Sequence, residues 1–252
     1  MMSRLRKLSR RVLFKSPTGL NLLLRMGKIS RADYYDVMSE FIMEEVLQAG
    51  STCVDIGCHR GDVLEPMIRI APHGRFYAFE PLPGLFEHLQ SRFGSDERIK
   101  LFNIALSDKK GTVPFQYVVD APAYSGFRTT EAGGGMGASQ TINVATARLD
   151  DVLGSASVDL IKIDVEGAEL QVLRGGLETI RRCKPFVLFE HEKHATCYDT
   201  KPDDIFDLLN EECGLRISLL GGFLRGGKTL SRREFKELGS SESYFLAHGR
   251  LS

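Results

Sequence analysis

The chain has 252 residues, 33 acidic and 33 basic side chains, and 42% hydrophobic residues. This length fits one globular domain with a sizeable core and short appendages. The balanced charge gives no bias toward nucleic acid, so no nucleic-acid partner is expected. No apolar run reaches the ~20 residues that cross a bilayer, and no convincing signal peptide is present. The five cysteines form no Cys-x-x-Cys pair, which argues against a zinc site or disulfide framework and favours a cytoplasmic location.

Residues 1–50 are predicted to form an appendage to the main domain. Residues 1–31 are rich in Lys and Arg and read as a basic, partly helical arm, and residues 33–49 as a helix. The arm either makes a weak membrane-surface contact or packs its leucines on the domain, and the second is favoured because charge runs are usually solvated. The helix either packs in the core or covers a pocket mouth.

A strand, a glycine turn and a helix follow, and the rest of the chain is organised around them. An apolar run over Thr52–Ile56 precedes a turn with glycines at both ends, followed by a predicted helix over residues 62–70. The spacing is Gly-x-x-x-Gly, whereas a dinucleotide's diphosphate needs Gly-x-Gly-x-x-Gly. The turn therefore favours an adenosine without phosphates, which points to S-adenosylmethionine; a plain tight turn is the alternative. The candidate cofactor-binding residues here are Asp55, Gly57, Cys58, His59 and Gly61.

Two further strands supply candidate cofactor contacts. Arg75–Phe79 alternates as a strand and ends at Glu80 and Pro81, before a helix over residues 84–93. A carboxylate at the end of the second strand of a βαβ unit reaches ribose hydroxyls, although Glu80 could instead cap a helix. The third strand, residues 99–105, presents Asn103 and Ala105 to an adenine. Asn103 could equally be a turn former satisfied by its own backbone.

An insertion then interrupts the βα alternation. Residues 112–119 and 140–146 read as strands, and residues 120–139 between them are rich in Gly, Ala, Ser and Thr. We expect an inserted hairpin over about 112–146 whose long tip acts as a lid or binding loop. An insertion without a role is the alternative.

The second half of the chain completes a sheet. Strands are predicted over residues 159–165, 185–189, 215–220 and 242–247, helices over 168–183 and 202–212, and a hairpin turn across the glycines at 221–227. The expected fold is α/β: a doubly wound, mostly parallel, seven-stranded sheet with an antiparallel last strand. Residues 51–252 would form this single domain.

Polar residues follow two of these strands, at the edge where open parallel sheets bind ligands. Asp164, which would lie beside the cofactor's methyl group and is also a candidate cofactor-binding residue, is the first candidate for a catalytic base. His191 is the second, although His191 could be satisfied by its neighbours. Glu166 would hold substrate hydroxyls or fix the loop, or else cap the next helix. Lys162 either pairs with a carboxylate or snorkels at a strand edge. Asp164, Glu190 and His191 could gather a divalent cation, but nothing in their spacing requires one, so no metal is expected.

Residues 161–169 (Ile-Lys-Ile-Asp-Val-Glu-Gly-Ala-Glu), followed by Val-Leu-Arg-Gly-Gly at 172–176, resemble the FkbM-type methyltransferases. The segments at 54–61, 79–81, 103–107 and 148–151 occur in that family's order, and the resemblance covers about 52–192. Arg148 stands where the family more often has Thr. The resemblance implies a class I methyltransferase fold, S-adenosylmethionine as cofactor and O-methylation of a hydroxyl on a sugar or natural product.

The sequence indicates the class of acceptor and allows two other functions. The acceptor would be a small molecule or saccharide, and the sequence leaves open whether the chain forms a homo-oligomer. The alternatives are a nicotinamide-dependent oxidoreductase on the same fold, disfavoured by the glycine spacing, and a non-catalytic adaptor at a membrane surface.

Overall fold

The computed structural model describes residues 17–118, 125, 139–191, 201–238 and 244–249. Its first two helices are α1 (Pro17–Arg25) and α2 (Arg31–Val46). Ser30 begins α2, because its side-chain oxygen accepts the backbone N–H of Asp33 at 3.0 Å. Leu20 of α1 is fully buried, so the second half of the expected arm packs on the domain. Residues 1–16 lie outside the described residues, and a membrane-surface contact stays a prediction.

A seven-stranded sheet forms the centre of the domain, in the order β3-β2-β1-β7-β8-β10-β9. Neighbouring strands pair in parallel, except that β10 is antiparallel to both β8 and β9. This arrangement confirms the predicted fold class. The strands are β1 (Thr52–Ile56), β2 (Arg75–Phe79), β3 (Ile99–Phe102), β7 (Leu160–Ile163), β8 (Phe186–Glu190), β9 (Arg216–Leu219) and β10 (Tyr244–His248).

Helices cover both faces of the sheet, as its nearly continuous apolar strands require. The buried hydrophobic residues on the central sheet form two clusters, and alternate residues of β1 belong to different ones. Val54 and Ile56 belong to the first cluster. Cys53 belongs to the second cluster, which also contains residues of α1 and α2. The remaining helices are α3 (Leu64–Ile70), α4 (Pro83–Phe93), α5 (Leu149–Leu153), α6 (Glu169–Gly175), α7 (Leu177–Cys183), α8 (Pro202–Phe206), a π-helix (Asp207–Glu212), α9 (Leu220–Leu224) and α10 (Arg232–Leu238). Within the described ranges, no helix is long and apolar enough to cross a membrane.

The insertion forms a second, three-stranded sheet in the order β4-β6-β5. Its strands are β4 (Ala105–Leu106), β5 (Gly111–Val118) and β6 (Ser139–Ala147). The antiparallel register of β5 and β6, from Gly111 opposite Thr146 to Val118 opposite Ser139, confirms the hairpin. Most of its expected tip, residues 119–124 and 126–138, lies outside the described residues, so a lid stays a prediction.

Four predicted elements differ from the structure. The helix predicted over 202–212 is α8 followed by the π-helix. The strand predicted over residues 99–105 divides, because β3 ends at Phe102 and β4 pairs with β6 in the second sheet. The helix predicted over 168–183 is divided into two helices, and the first of them ends at Gly175. A Cβ on Gly175 would lie 2.1 Å from the carbonyl oxygen of Ser107, so the close approach of these two segments requires a glycine. The hairpin turn predicted at 221–227 is instead α9, followed by Gly226 with φ +65°.

Candidate active site

A pocket of about 260 Å³ opens at the carboxyl ends of β1, β2 and β7. This is the edge at which open parallel sheets bind ligands. The pocket wall, as we call its lining residues, combines the turn after β1, the segments after β2 and β7, one residue of α2 and part of the second sheet. It consists of Asp36, Ile56, Gly57, Cys58, His59, Asp62, Val63, Phe79, Glu80, Pro81, Leu82, Leu85, Ile104, Ala105, Leu106, Phe115, Ser125, Lys162, Asp164, Val165 and Glu166.

Glycine is structurally required at both ends of the turn after β1. Gly57 has φ +73°, and a Cβ there would lie 1.9 Å from the carbonyl oxygen of Asp164. Gly61 has φ +79°, and its Cβ would lie 2.5 Å from the ring of Phe93. No L side chain fits either position without displacing a neighbour. Gly57 lies on the pocket wall and Gly61 supports the turn from behind.

The backbone amides of this turn are bound to acceptors in the protein. The N–H groups of Gly57 and Cys58 donate to the carbonyl oxygen of Phe79 at 3.0 and 3.1 Å. The N–H of His59 donates to Oε2 of Glu80 at 2.9 Å. The turn after β1 and the end of β2 are thereby fixed to each other.

Glu80 lies on the pocket wall, and two backbone amides hold its carboxylate. Oε1 accepts the N–H of Leu82 at 2.9 Å, and Oε2 accepts that of His59. Burial raises the pKa of Glu80 to about 7, although both amide hydrogen bonds act to lower it. The Nδ2 of Asn103 donates to the carbonyl oxygens of Glu80 and Pro81 at 2.9 and 3.0 Å. Asn103 therefore supports this segment from outside the pocket wall.

Lys162 joins β1 to β7 at the pocket wall. It is 4% exposed, and its Nζ lies 3.6 Å from Oδ1 of Asp55 and 3.3 Å from Oδ2 of Asp164. The same ammonium donates to the carbonyl oxygen of Gly57 at 3.2 Å. The structure thus confirms pairing with carboxylates as the role of Lys162. Asp55 is fully buried, and burial raises its pKa despite the nearby ammonium.

Asp164 follows β7 and is bound to three other polar side chains. The hydroxyl of Tyr244 donates to its Oδ2 at 2.8 Å, Lys162 lies on the same oxygen, and Glu190 shares a further hydrogen bond with it. Burial acts to raise the pKa of Asp164, but Lys162 and the two hydrogen bonds outweigh it, so the pKa is lowered. Asp164 is therefore ionised at neutral pH.

Sequence reasoning missed Tyr244 and Asp36. Tyr244 pairs with Glu190 across the β8–β10 ladder, and its ring lies 5.0 Å from that of Tyr35 in α2. The sequence could have indicated Tyr244, because the first residue of an antiparallel strand lies at the edge of the sheet where its parallel neighbours have their carboxyl ends. Tyr35 lies next to Asp36, which lines the pocket, so α2 does reach the pocket mouth.

A buried carboxyl group shapes the loop that carries Glu166. Glu166 and Gly167 both have positive φ, +54° and +102°. Oε1 of Glu169 accepts the N–H groups of Val165 and Gly167 at 3.3 and 3.0 Å. Burial raises the pKa of Glu169 to about 7. Glu166 lies on the pocket wall, and the N-cap of α6 is Ala168, which does not support the capping alternative for Glu166.

His191 is not part of the pocket wall. It is 3% exposed, its ring stacks on Phe235 with centroids 5.6 Å apart, and burial lowers its pKa. The carboxylates that approach one another are instead Asp164, Glu166 and Glu190, which can each place one oxygen within 4.8 Å of the others. His191 does not belong to this group, although the sequence suggested it as a possible cation ligand together with Asp164 and Glu190. The Lys162 ammonium already neutralises part of the charge of the group.

Two curated relatives are methyltransferases. The 2-O-methyltransferase NoeI of Sinorhizobium fredii is 29% identical in an alignment of 154 positions that covers 55% of this chain and 62% of NoeI. The chain therefore spans about three fifths of the length of NoeI. Methyltransferase sdnD of Sordaria araneosa is 28% identical in an alignment of 188 positions that covers 58% of this chain and 73% of sdnD.

A solved structure has the same fold. The FkbM methyltransferase of Methylobacillus flagellatus superposes with a TM-score of 0.50 at 16% identity, over 85% of this chain and 53% of its own. At this identity the superposition shows the fold alone, and it agrees with the predicted class I methyltransferase architecture.

The family itself is settled by sequence. Residues 55–217 match the methyltransferase FkbM domain, which is more than half of the chain. The match confirms the resemblance carried by the motifs, and it supports S-adenosylmethionine, the cofactor that goes with this family, as the methyl donor. The chain belongs to the FkbM methyltransferase family.

Proposed function

We propose that this chain transfers a methyl group from S-adenosylmethionine to a hydroxyl group of a sugar or natural product. The charge of the pocket wall carries the proposal. Five carboxylates line it, and its one Lys or Arg side chain, Lys162, is already paired with Asp55 and Asp164. S-adenosylmethionine has a positively charged sulfur, which this wall attracts, whereas the diphosphate of a nicotinamide dinucleotide would be repelled. The five are Asp36, Asp62, Glu80, Asp164 and Glu166.

The turn after β1 supports the same choice. Dinucleotide and nucleotide sites direct free backbone amides at phosphate oxygens. Here the amides of Gly57, Cys58 and His59 donate to Phe79 and Glu80. The turn is thus closed against a phosphate but open to a nucleoside, which disfavours the oxidoreductase alternative.

The residues present fit an adenosine with a charged amino-acid tail. Carboxylate oxygens hold more than one hydrogen bond each, so Glu80 can accept ribose hydroxyls while retaining its two backbone amides. Gly57, Cys58 and His59 would lie against the sugar and tail, and Pro81 and Ala105 against the base. Three of the candidate residues would act indirectly, from behind the wall. Asp55 would act through its ion pair with Lys162, and Gly61 through its close approach to Phe93. Asn103 would act through its hydrogen bond to the backbone at Glu80.

The acceptor would bind between Asp164, Glu166 and α2. When bound, S-adenosylmethionine supplies an electrophilic methyl group. Asp164 is ionised and partly exposed, so it would take up the proton that the acceptor hydroxyl loses as its oxygen bonds to the methyl carbon. Glu166 would accept a second acceptor hydroxyl. Aligning the hydroxyl can contribute about 7–11 kcal/mol to lowering the barrier. The 2-O-methyltransferase activity in the name of NoeI supports a hydroxyl as the acceptor group.

Two measurements test this function. Calorimetric titration of the full chain with S-adenosylhomocysteine should show binding, and titration with NADH should not. A screen of saccharides and small hydroxylated natural products with radiolabelled S-adenosylmethionine should then give an O-methylated product. Selective NADH binding would contradict the proposal.

Two variants identify the base. Asp164→Asn should abolish turnover while S-adenosylhomocysteine still binds. His191→Ala, the second candidate, removes a side chain outside the pocket wall and should lower stability more than turnover. If His191→Ala lost turnover and Asp164→Asn kept it, the roles of the two residues would be exchanged.

A further inference from the structure

The pocket wall has an apolar end, of which only Ala105 has a role in the function proposed above. In the central sheet β7 lies on one side of β1, and β2 and β3 lie on the other. Lys162, Asp164 and Glu166 belong to β7 and the loop after it, whereas the apolar residues Leu82, Leu85 and Ala105 follow β2 and β3, and Phe115 comes from β5. Leu82, Leu85, Ala105 and Phe115 belong there to one buried cluster with Val144 of β6. This cluster is separate from the two clusters that pack on the central sheet.

The second sheet contributes Phe115 to the apolar end of the pocket. Phe115 is central in β5, is 6% exposed, and lies opposite Ile142 in the register of the hairpin. Its neighbour Gln116 lies on the other side of the strand, where its Nε2 donates to the hydroxyl of Thr141 at 3.0 Å in an exposed position. The alternation of a β-strand therefore directs Phe115, and not Gln116, toward the pocket.

A polar group accompanies the aromatic ring. Ser125 lies on the pocket wall and is 8% exposed, and its Oγ accepts the N–H of Val118 at 3.0 Å. A hydroxyl that accepts one hydrogen bond can still donate its hydrogen. An apolar slot with one hydroxyl donor at its edge matches a flat heteroaromatic base with acceptor nitrogens. A sugar needs more hydrogen-bonding groups than this end offers.

We infer that the inserted hairpin is a nucleobase-recognition element, with Phe115 packing against the adenine of the cofactor and Ser125 at the ring edge. The inference rests on the proposed function, and it gives the insertion a role in cofactor binding rather than in covering the acceptor. The carboxylate of Glu80 accepts the N–H of His59, in the turn after β1, and that of Leu82, which belongs to the cluster of Phe115. The ribose would lie at Glu80, between the turn and the apolar end.

The test compares two ligands that share the adenine but differ in the tail: S-adenosylhomocysteine and 5′-methylthioadenosine. Base–aromatic contacts are worth about 5- to 100-fold in affinity. Phe115→Ala should weaken both ligands by the same factor within that range, and the matched variant Gln116→Ala should weaken neither. A folded Phe115→Ala protein that binds both ligands as tightly as wild type would overturn the inference.

A second measurement does not require a cavity-forming variant. The chain contains no tryptophan, so Phe115→Trp introduces a single indole at the proposed contact. Its emission should change on saturation with 5′-methylthioadenosine, whereas that of Gln116→Trp should not. Unchanged emission from Phe115→Trp, with binding shown by calorimetry, would overturn the inference. A wild-type chain that binds neither ligand would instead refute the proposed function.

Discussion

The hydroxyl of Tyr244 donates a hydrogen bond of 2.8 Å to Oδ2 of Asp164, so the antiparallel strand β10 supplies a contact to the residue we propose as the base. A hydrogen bond to an ionised carboxylate is worth about 1.5–3 kcal/mol, or about 1–2 pH units in the pKa of the acid. β10 therefore helps to keep Asp164 ionised, together with Lys162.

Tyr244→Phe should move the acidic limb of the pH–rate profile to higher pH. The lost hydrogen bond favours the ionised carboxylate, so its removal raises the pKa of Asp164, and more of the enzyme is protonated and inactive at the acidic end of the profile. The measurement is kcat from pH 4 to 9 at saturating S-adenosylmethionine, so that the titration of Glu80, which acts on cofactor affinity, does not set the acidic limb. Tyr34→Phe is the matched control, since Tyr34 donates to Asn21 at 3.0 Å, away from Asp164. An unshifted acidic limb would show that ionisation of Asp164 does not limit the reaction.

Lys162→Met should lower the free energy of unfolding by about 3–5 kcal/mol, the usual cost of leaving a buried charge without its partner. The fully buried Asp55 has no hydrogen-bond partner in the part of the chain that the structure describes, so it depends on this ammonium. Urea denaturation measures the loss, with the exposed Lys110→Met as control.

Adding Asp55→Asn to Lys162→Met should recover part of this stability, because the unpaired buried carboxylate is then removed. If Lys162→Met lost less than about 1 kcal/mol, the role we give to the buried ion pair would be wrong.

Stability should fall as pH rises, in part because of Glu169. Burial raises its pKa from 4.5 to about 7, so between these values the folded protein holds a proton that the unfolded chain has released. The stabilising effect is complete below about pH 4.5 and is lost as pH rises through about 7, with a change of up to about 3 kcal/mol. Glu169→Gln stays neutral and should remove this part of the slope.

Urea unfolding at pH 5 and pH 8 measures that slope. Glu178→Gln, in the first turn of α7 and exposed, is the matched control and should leave the slope unchanged. Equal slopes for wild type and Glu169→Gln would mean that Glu169 is not protonated in the folded protein.

Affinity for S-adenosylhomocysteine should rise with pH through the pKa of Glu80, about 7. Ribose hydroxyls are donors, so the ionised carboxylate is the form that binds, and the apparent Kd should fall about tenfold from pH 6 to pH 8. Calorimetry at both values checks this. Glu80→Gln should show little pH dependence, whereas the exposed Glu87→Gln should behave as wild type.

Much of the sheet and the turn after β1 could be predicted from sequence, because each depends on local patterns. β1 and β2 have the predicted bounds, and Gly57 and Gly61 both need positive φ. The pattern does not report contacts between distant segments. Tyr244 reaches Asp164 only through the antiparallel pairing of β10 with β8.

The incorrect predictions also arise because local sequence patterns do not report contacts between distant segments. Residues 99–105 read as one strand, since apolar alternation cannot show that Ala105 pairs with Thr146 in another sheet. His191 follows β8 directly and looked like a residue of the edge, but its ring packs on Phe235 of α10. The role of Phe115 depends on which way the inserted hairpin folds, and no local signal gives that direction.

The most direct test of the account is a crystal structure of the full chain with S-adenosylhomocysteine. We predict the ribose hydroxyls on Glu80, the adenine between Ala105 and Phe115, and the sulfur beside Asp164. An empty pocket at saturating ligand, or a ligand whose phosphate groups lie on the turn after β1, would contradict it.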